Sequence, residues 1–435
     1  VNRSGSTAPR FRRAAITSLV IAGLAAVAGP SGASSTVGVA RAAAVIGEID
    51  QPGRPTVPAR RIPVAVETVS IGQSGPLSPV LAEQLETMAA ELRIPSARTR
   101  AFNLGLLSVR RGDAVVQQAA GPGGVWQFPM STSAMPIEAA GRVFGSDVSA
   151  VLGAGAVVMG QTTASLRGAA AGDVIDVLAS DGSVRTYLVG LIAPDAKVGA
   201  ELLVTPEIAD DLGATVVTRV LLFGVFDRAT VDAAIAARGW VDGYGVRINR
   251  SWNPPNPDGV LSSARTKALL GEFDYRDAGN GFIAVDGDWY AASLVQRTYA
   301  HIPIRANCHR AIVDDLQAAL TEVAAAGLSW AIDVGNSNTY GGCWNGRFSR
   351  VSGVIGNVSR HSWGMAIDMN TVTNAQGRTP QMDCRVVRIF RKYGFAWGGN
   401  FLTPDGMHFE WVGEPRHEWQ YPSKYCPNLP GGAIG

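Results

Sequence analysis

Two short stretches near the carboxyl end alternate apolar and polar side chains, and that period of two limits the fold more than any other feature. In the first, Met365, Ile367 and Met369 alternate with Ala366, Asp368 and Asn370. In the second, Met407, Phe409 and Trp411 alternate with His408 and Glu410. Successive side chains of a strand point to opposite faces, so each stretch reads as a strand with one apolar and one ionisable face. Two such strands side by side would bury their apolar faces together and bring Asp368 and His408 onto one surface. His361 lies on the approach to the first strand, where Gly364 lets the backbone come close.

Two imidazoles and one carboxylate, with a fourth position open to water, make a catalytic zinc site rather than a closed structural one. The expected ligands are His361, Asp368 and His408. Asp405 stands three residues before His408, on the turn entering the strand. From there its carboxylate could take a proton from an attacking water and pass it to a leaving amine. Each residue has a plainer reading alone: a histidine in the core, an aspartate in a turn. The pairing of the two segments is what points to a metal.

The four cysteines, Cys308, Cys343, Cys384 and Cys426, contain no C-x-x-C pair, which argues against a cysteine zinc site. An N-terminal pattern bears on them. Arg10, Arg12 and Arg13 precede an apolar run from Ala14 to Gly29, and Ala40-Arg41-Ala42 offers a small-residue cleavage site. This is the order of a secretory signal, or of an uncleaved anchor, and either implies export. In an oxidising compartment the cysteines read as disulfides. A helix from His309 to Ala326, followed by a strand from Ser329 to Gly335, would carry the chain away from Cys308 and back to it by Cys343. That geometry favours Cys308–Cys343 and leaves Cys384–Cys426.

Proline-rich stretches divide the chain into an expected signal over 1–42, a linker over 43–77, an α+β domain over 78–240, a second linker over 241–262 and a C-terminal domain over 263–430. In the middle domain, Ser78-Pro79 opens a helix with Leu81, Leu85 and Met88 on one face. Val174–Leu178 and Thr186–Ile192 flank an Asp181-Gly182 turn, and Asp227 caps a helix that ends at Gly239. This region has no histidine and no cysteine, and no catalytic grouping is visible in it. Its order of elements faintly resembles the extracytoplasmic core domains of some ABC-type permeases. Its partner is unknown.

Composition excludes other classes. With 46% apolar and 17% charged residues the chain is not disordered throughout. The net charge is only +2, with Arg3, Arg10, Arg12 and Arg13 all in the first thirteen positions. That leaves no basic stripe for a nucleic acid. Beyond the N-terminal run no stretch is long and apolar enough to span a membrane.

The pattern Ser359, His361, Gly364, Ala366, Asp368, followed by Asp405, His408, Phe409, Glu410, resembles the M15 family of zinc peptidases. These are D-alanyl-D-alanine carboxypeptidases of the VanY and VanX type and the related L-alanyl-D-glutamate endopeptidases. The resemblance extends from about Ser263 to Cys426. It implies a small α+β domain with a central antiparallel sheet and flanking helices, zinc held by His361, Asp368 and His408, and Asp405 as the catalytic carboxylate. It also implies an upstream arginine that grips the substrate, for which Arg347 is preferred over Arg350. The implied activity is an exported, zinc-dependent cleavage of peptidoglycan stem peptides, secreted or in the cell envelope. A D-Ala-D-Ala carboxypeptidase comes first, with an L-Ala-D-Glu endopeptidase or a catalytically silent wall-binding module as alternatives. Glu410 could orient a ligand. His309 and His417 read as structural and exposed respectively, and Trp363, Trp397 and Trp411 as core. The loops over 336–355 and 371–381 should frame the pocket.

Overall fold

One long strand, Ser96–Arg111, organises the middle of the chain. Its first half pairs with Arg219–Gly224 on one side and Phe128–Ala134 on the other. Its second half pairs with Ala114–Gln118 and Val174–Leu178. From Phe128–Ala134 the pairing runs through Leu202–Val204, Val157–Gly160 and Val184–Ala193 back to Val174–Leu178, closing a circuit. The expected hairpin turns at Gly182, whose φ of 81° is the left-handed conformation glycine tolerates. The helix Pro79–Glu91 buries Leu81, Leu85 and Met88, and Asp227 accepts from the Thr230 N–H to cap Arg228–Ala237.

The computed structural model describes residues 66–336, 339–349 and 357–435. The expected signal, most of the first linker, and Arg350 lie outside these. Among the described residues no helix is long and apolar enough to cross a membrane. The fold is α+β, and Pro63–Gly435 is one compact unit.

Both expected linkers carry structure. Glu67–Gly72 pairs with Arg219–Gly224 and with Arg247–Arg250, extending the middle sheet. Val69 and Ile71 alternate with Ser70 and are fully buried, a short strand signal hidden behind the upstream prolines. In the second stretch Asp258 is buried and accepts from Arg391 Nε at 2.9 Å, Trp397 N at 3.1 Å and Asn400 Nδ2 at 2.7 Å. The strand Arg247–Arg250 also lies in this stretch, and around Asp258 proline and glycine mark the absence of regular structure, not the absence of contacts.

The C-terminal region has its own apolar core, from Leu270 to Cys426. A four-stranded antiparallel sheet runs in the order Tyr340–Gly342, Ala366–Met369, His408–Trp411, Phe395–Trp397. The helices Val313–Ala325 and Cys384–Lys392 pack on each other, the second also on Phe395–Trp397. Both expected disulfides are present, with Cα–Cα distances of 4.8 Å for Cys308–Cys343 and 4.9 Å for Cys384–Cys426. The route to the first differs from expectation. His309 ends a strand, Arg305–His309, the helix starts at Val313, and the expected strand over 329–335 is a 3₁₀ turn, Ser329–Ala331.

Buried charges join the two regions. Lys267 Nζ lies 2.7 Å from Glu201 Oε1 and 2.9 Å from Glu272 Oε1, and Arg167 Nη2 donates to Glu272 at 2.7 Å. All four side chains are nearly or fully buried. Burial pushes the Glu272 carboxyl up, but Lys267 and Arg167 outweigh it and hold it below its ordinary value. Sequence reading assigned no role to any of these residues.

Candidate metal centre

The centre is built by strand register. Ala366–Met369 pairs antiparallel with His408–Trp411, so that Asp368 faces His408, Ala366 faces Glu410 and Ile367 faces Phe409. Met365, Ile367, Met369 and Phe409 are fully buried, and removing that apolar area from water fixes which face the ionisable residues take. A register slip of one residue would exchange the faces.

His361 reaches the site from the 3₁₀ turn Arg360–Trp363, whose cap Ser359 accepts from the His361 N–H. Gly364 ends the turn with φ 64°, and a Cβ there would lie 2.9 Å from the His309 backbone nitrogen. Only glycine fits both the conformation and the approach. The ring is set by the Cys343 carbonyl, 3.0 Å from Nδ1. The Cys308–Cys343 disulfide anchors that backbone. With its proton on Nδ1, His361 presents the lone pair of Nε2.

His361 Nε2 lies 3.2 Å from Asp368 Oδ1, yet it is buried and has no hydrogen-bond partner. His408 Nδ1 lies 3.1 Å from the same oxygen, and His408 Nε2 lies 3.5 Å from Glu410 Oε2. A proton on Nε2 facing Glu410 leaves Nδ1 as the lone pair that faces Asp368. One ligand atom from each of His361, Asp368 and His408 falls within 4.8 Å of the others. Two atoms each about 2.0–2.1 Å from a tetrahedral zinc lie roughly 3.3 Å apart. The two short separations and the orphaned nitrogen fit a metal ion at their meeting point.

The electrostatics follow from the packing. Burial pushes the Asp368 carboxyl up, but His361 and His408 overcome it and hold it well below the usual carboxylate range. Burial pulls His408 down, and Asp368 and Glu410 more than reverse this, lifting it above its ordinary value. Glu410 is held in turn by Arg360 Nε at 3.3 Å from Oε1. Sequence reading passed over Arg360, although it adjoins His361.

A cavity of about 550 Å³ opens over the three side chains. Arg347 and Ser349 line it from one expected loop and Ala375 and Gln376 from the other, with Asp405 between. Asp405 Oδ2 accepts from Gln376 Nε2 at 3.2 Å, while Oδ1 is buried and unpartnered. Burial raises the Asp405 carboxyl; nearby Asp368 adds to this, and His408, His361 and Arg347 oppose it. Nothing in the sequence singled out Gln376. Arg347 is half-buried and donates from Nη1 to the Phe348 carbonyl at 3.3 Å. His309 is structural, bonded through Nε2 to the Leu270 carbonyl at 3.0 Å. His417, expected exposed, is half-buried. Trp363, Trp397 and Trp411 are core residues and do not line the cavity.

A family model described as D-alanyl-D-alanine carboxypeptidase matches residues 354–411, the segment that carries all three potential ligands and Asp405. In this C-terminal region the chain resembles the M15 peptidases. The match supports a peptidase of the peptidoglycan-directed M15 kind. No curated protein matches the chain. Among solved structures, the extracellular domain of the noncanonical ABC-type transporter YknZ from Gram-positive bacteria matches over 42% of this chain and 99% of its own length. The identity is 8% and the TM-score 0.26, too low to establish a shared fold.

Proposed function

We propose that the chain is an exported zinc peptidase that acts on peptidoglycan stem peptides as a D-Ala-D-Ala carboxypeptidase. The observation that carries this reading is the convergence of His361 Nε2, Asp368 Oδ1 and His408 Nδ1 beneath a cavity that also holds a carboxylate and a guanidinium. The description of the matching family favours the carboxypeptidase over an endopeptidase. The disulfides and the N-terminal Arg-apolar pattern favour export.

His361, Asp368 and His408 would hold the zinc. When bound, the ion supplies Lewis acidity, polarising a carbonyl and lowering the pKa of water toward about 7. The protein's own residues do the rest. Asp405, raised by burial and with Oδ1 unpartnered, takes a proton from the attacking water and delivers it to the leaving amine. Arg347 grips the substrate carbonyl or terminal carboxylate with a charge it does not lose. Glu410, itself held by Arg360, orients His408.

The test is incubation of zinc-loaded protein with a defined pentapeptide muropeptide, read by mass spectrometry. Loss of one alanine supports the carboxypeptidase. Release at the L-Ala–D-Glu bond would make it an endopeptidase, and no mass change would reject the peptidase altogether.

A further inference from the structure

A second cleft, of about 490 Å³, lies beside the metal cavity, walled by the middle sheet on one side and the C-terminal region on the other. The two cavities share Asn357 and Arg360 in their walls. Three guanidinium groups line the second cleft, from Arg219, Arg247 and Arg360, and among the described residues no carboxylate side chain does. Two of the three are committed. Arg247 donates to the Asn400 carbonyl at 2.9 Å, and Arg360 to Thr266 at 2.9 Å. Arg219, on the strand Arg219–Gly224, has no hydrogen-bond or ion-pair partner among the described residues. Its side chain is exposed to the cleft and solvent, and the protein packed nearby pulls its pKa down.

A guanidinium without a counterion, in a cleft that other guanidinium groups line and, among the described residues, no carboxylate does, is a receptor for an anion. The walls are held in place by the buried Lys267–Glu201 pair, which ties the C-terminal region to the middle sheet, so the cleft is preformed. A guanidinium presents a planar fork that matches a carboxylate.

We propose that this cleft binds a remote carboxylate of the same peptide whose scissile bond sits in the metal cavity, with Arg219 as the group that grips it. The proposal rests on the peptidase reading above and deepens it. The middle region thereby becomes part of the substrate site, and the preferred substrate is a stem peptide bearing a carboxylate away from the bond cut, such as that of its D-glutamate. Binding energy from this remote contact would fall mainly on affinity.

The test is titration calorimetry on the full zinc-loaded chain carrying Asp405→Asn, so that ligands persist. The probes are a disaccharide-pentapeptide muropeptide and the D-Ala-D-Ala dipeptide. Adding Arg219→Gln should weaken muropeptide binding about 10- to 100-fold, as expected for a lost charge-assisted contact, and leave dipeptide binding unchanged. Asn249→Asp is a near-isosteric change at an exposed position in the same lining. It should also weaken the muropeptide selectively, and it decides the matter if Arg219→Gln does not fold. Unchanged muropeptide affinity, equal loss for both probes, or no muropeptide binding by the Asp405→Asn parent would overturn the proposal. The peptidase reading fails separately, if wild-type protein binds the muropeptide and leaves its mass intact.

Discussion

Asp368 stands directly opposite His408 across an antiparallel strand pair, with its Oδ1 3.1 Å from His408 Nδ1. Residues opposed in this way share a face, so the contact is a property of register and not of a flexible loop. His361 joins from a turn whose path is fixed by Gly364 and by the Cys343 carbonyl. Three ligand atoms therefore converge without any one side chain having to reorganise.

His361→Ala should reduce bound zinc from one per chain to well below one, measured by metal analysis after dialysis against a weak chelator. The residue is buried, and its Nε2 makes no hydrogen bond but faces Asp368 Oδ1 at 3.2 Å, a separation that a shared metal ion between the two atoms accounts for. Retention of stoichiometric zinc would remove His361 from the ligand set.

Lys267→Met should destabilise the chain by about 3–5 kcal/mol, the usual result of stripping one partner from a buried ion cluster. The substitution keeps length but takes from buried Glu201 the cation it pairs with, and leaves buried Glu272 paired with Arg167. Denaturant unfolding would read the loss. A change below about 1 kcal/mol would mean that water reaches the cluster.

The local pattern was legible and the long-range pairing of buried charges was not. Met365 to Asn370 and Met407 to Trp411 declare their faces by period two, and the structure places Asp368 and His408 where that period puts them. Helix Pro79–Glu91 and the hairpin at Gly182 are likewise set by neighbours in sequence. Lys267 and Glu201 are 66 residues apart, and Asp258 and Arg391 are 133 apart. A charged residue that will be buried looks in sequence like one that stays in water. The strand Glu67–Gly72 is different: its alternation was present, but the prolines before it drew the reading toward a linker. Arg219 resembles an ordinary strand arginine until the cleft around it is seen.

Stability should decline in acid, and Asp176 should carry part of the decline. Arg110 donates to its carboxylate from Nε at 2.8 Å and Nη2 at 2.9 Å, with Thr186 at 2.6 Å and Ser108 at 2.7 Å. Hydrogen bonding to Arg110 leads the causes that hold it well below the ordinary carboxylate range. A depressed carboxylate stabilises the fold fully above the unfolded pKa, about 4, and the contribution is lost as pH falls from there toward the folded value. Urea midpoints measured from about pH 7 to pH 3 should therefore fall less steeply for Asp176→Asn than for wild type. Parallel curves would mean that Asp176 titrates alike in both states.

Asp405 offers the sharpest chemical test. Its Oδ1 is buried without a partner, its Oδ2 accepts only a weak amide contact from Gln376 at 3.2 Å, and burial raises its carboxyl. Those are the marks of a group placed to move a proton rather than to bind a metal. Asp405→Ala should keep its zinc and its fold while kcat falls about 10²- to 10⁴-fold, the range general acid–base assistance supplies, with a smaller effect on KM. Asp405→Glu should retain more activity than Asp405→Ala, because a longer carboxylate can still reach the water. Arg347→Ala should instead raise KM as well as lower kcat, since a guanidinium that grips substrate acts before and during the reaction. Kinetics on a muropeptide separate these patterns. If Asp405→Ala turned over at the wild-type rate, the proton would have to travel through another group. Glu410 would then be the nearest candidate, 3.5 Å from His408 Nε2, and the pairing with Arg360 that now holds it would have to break first.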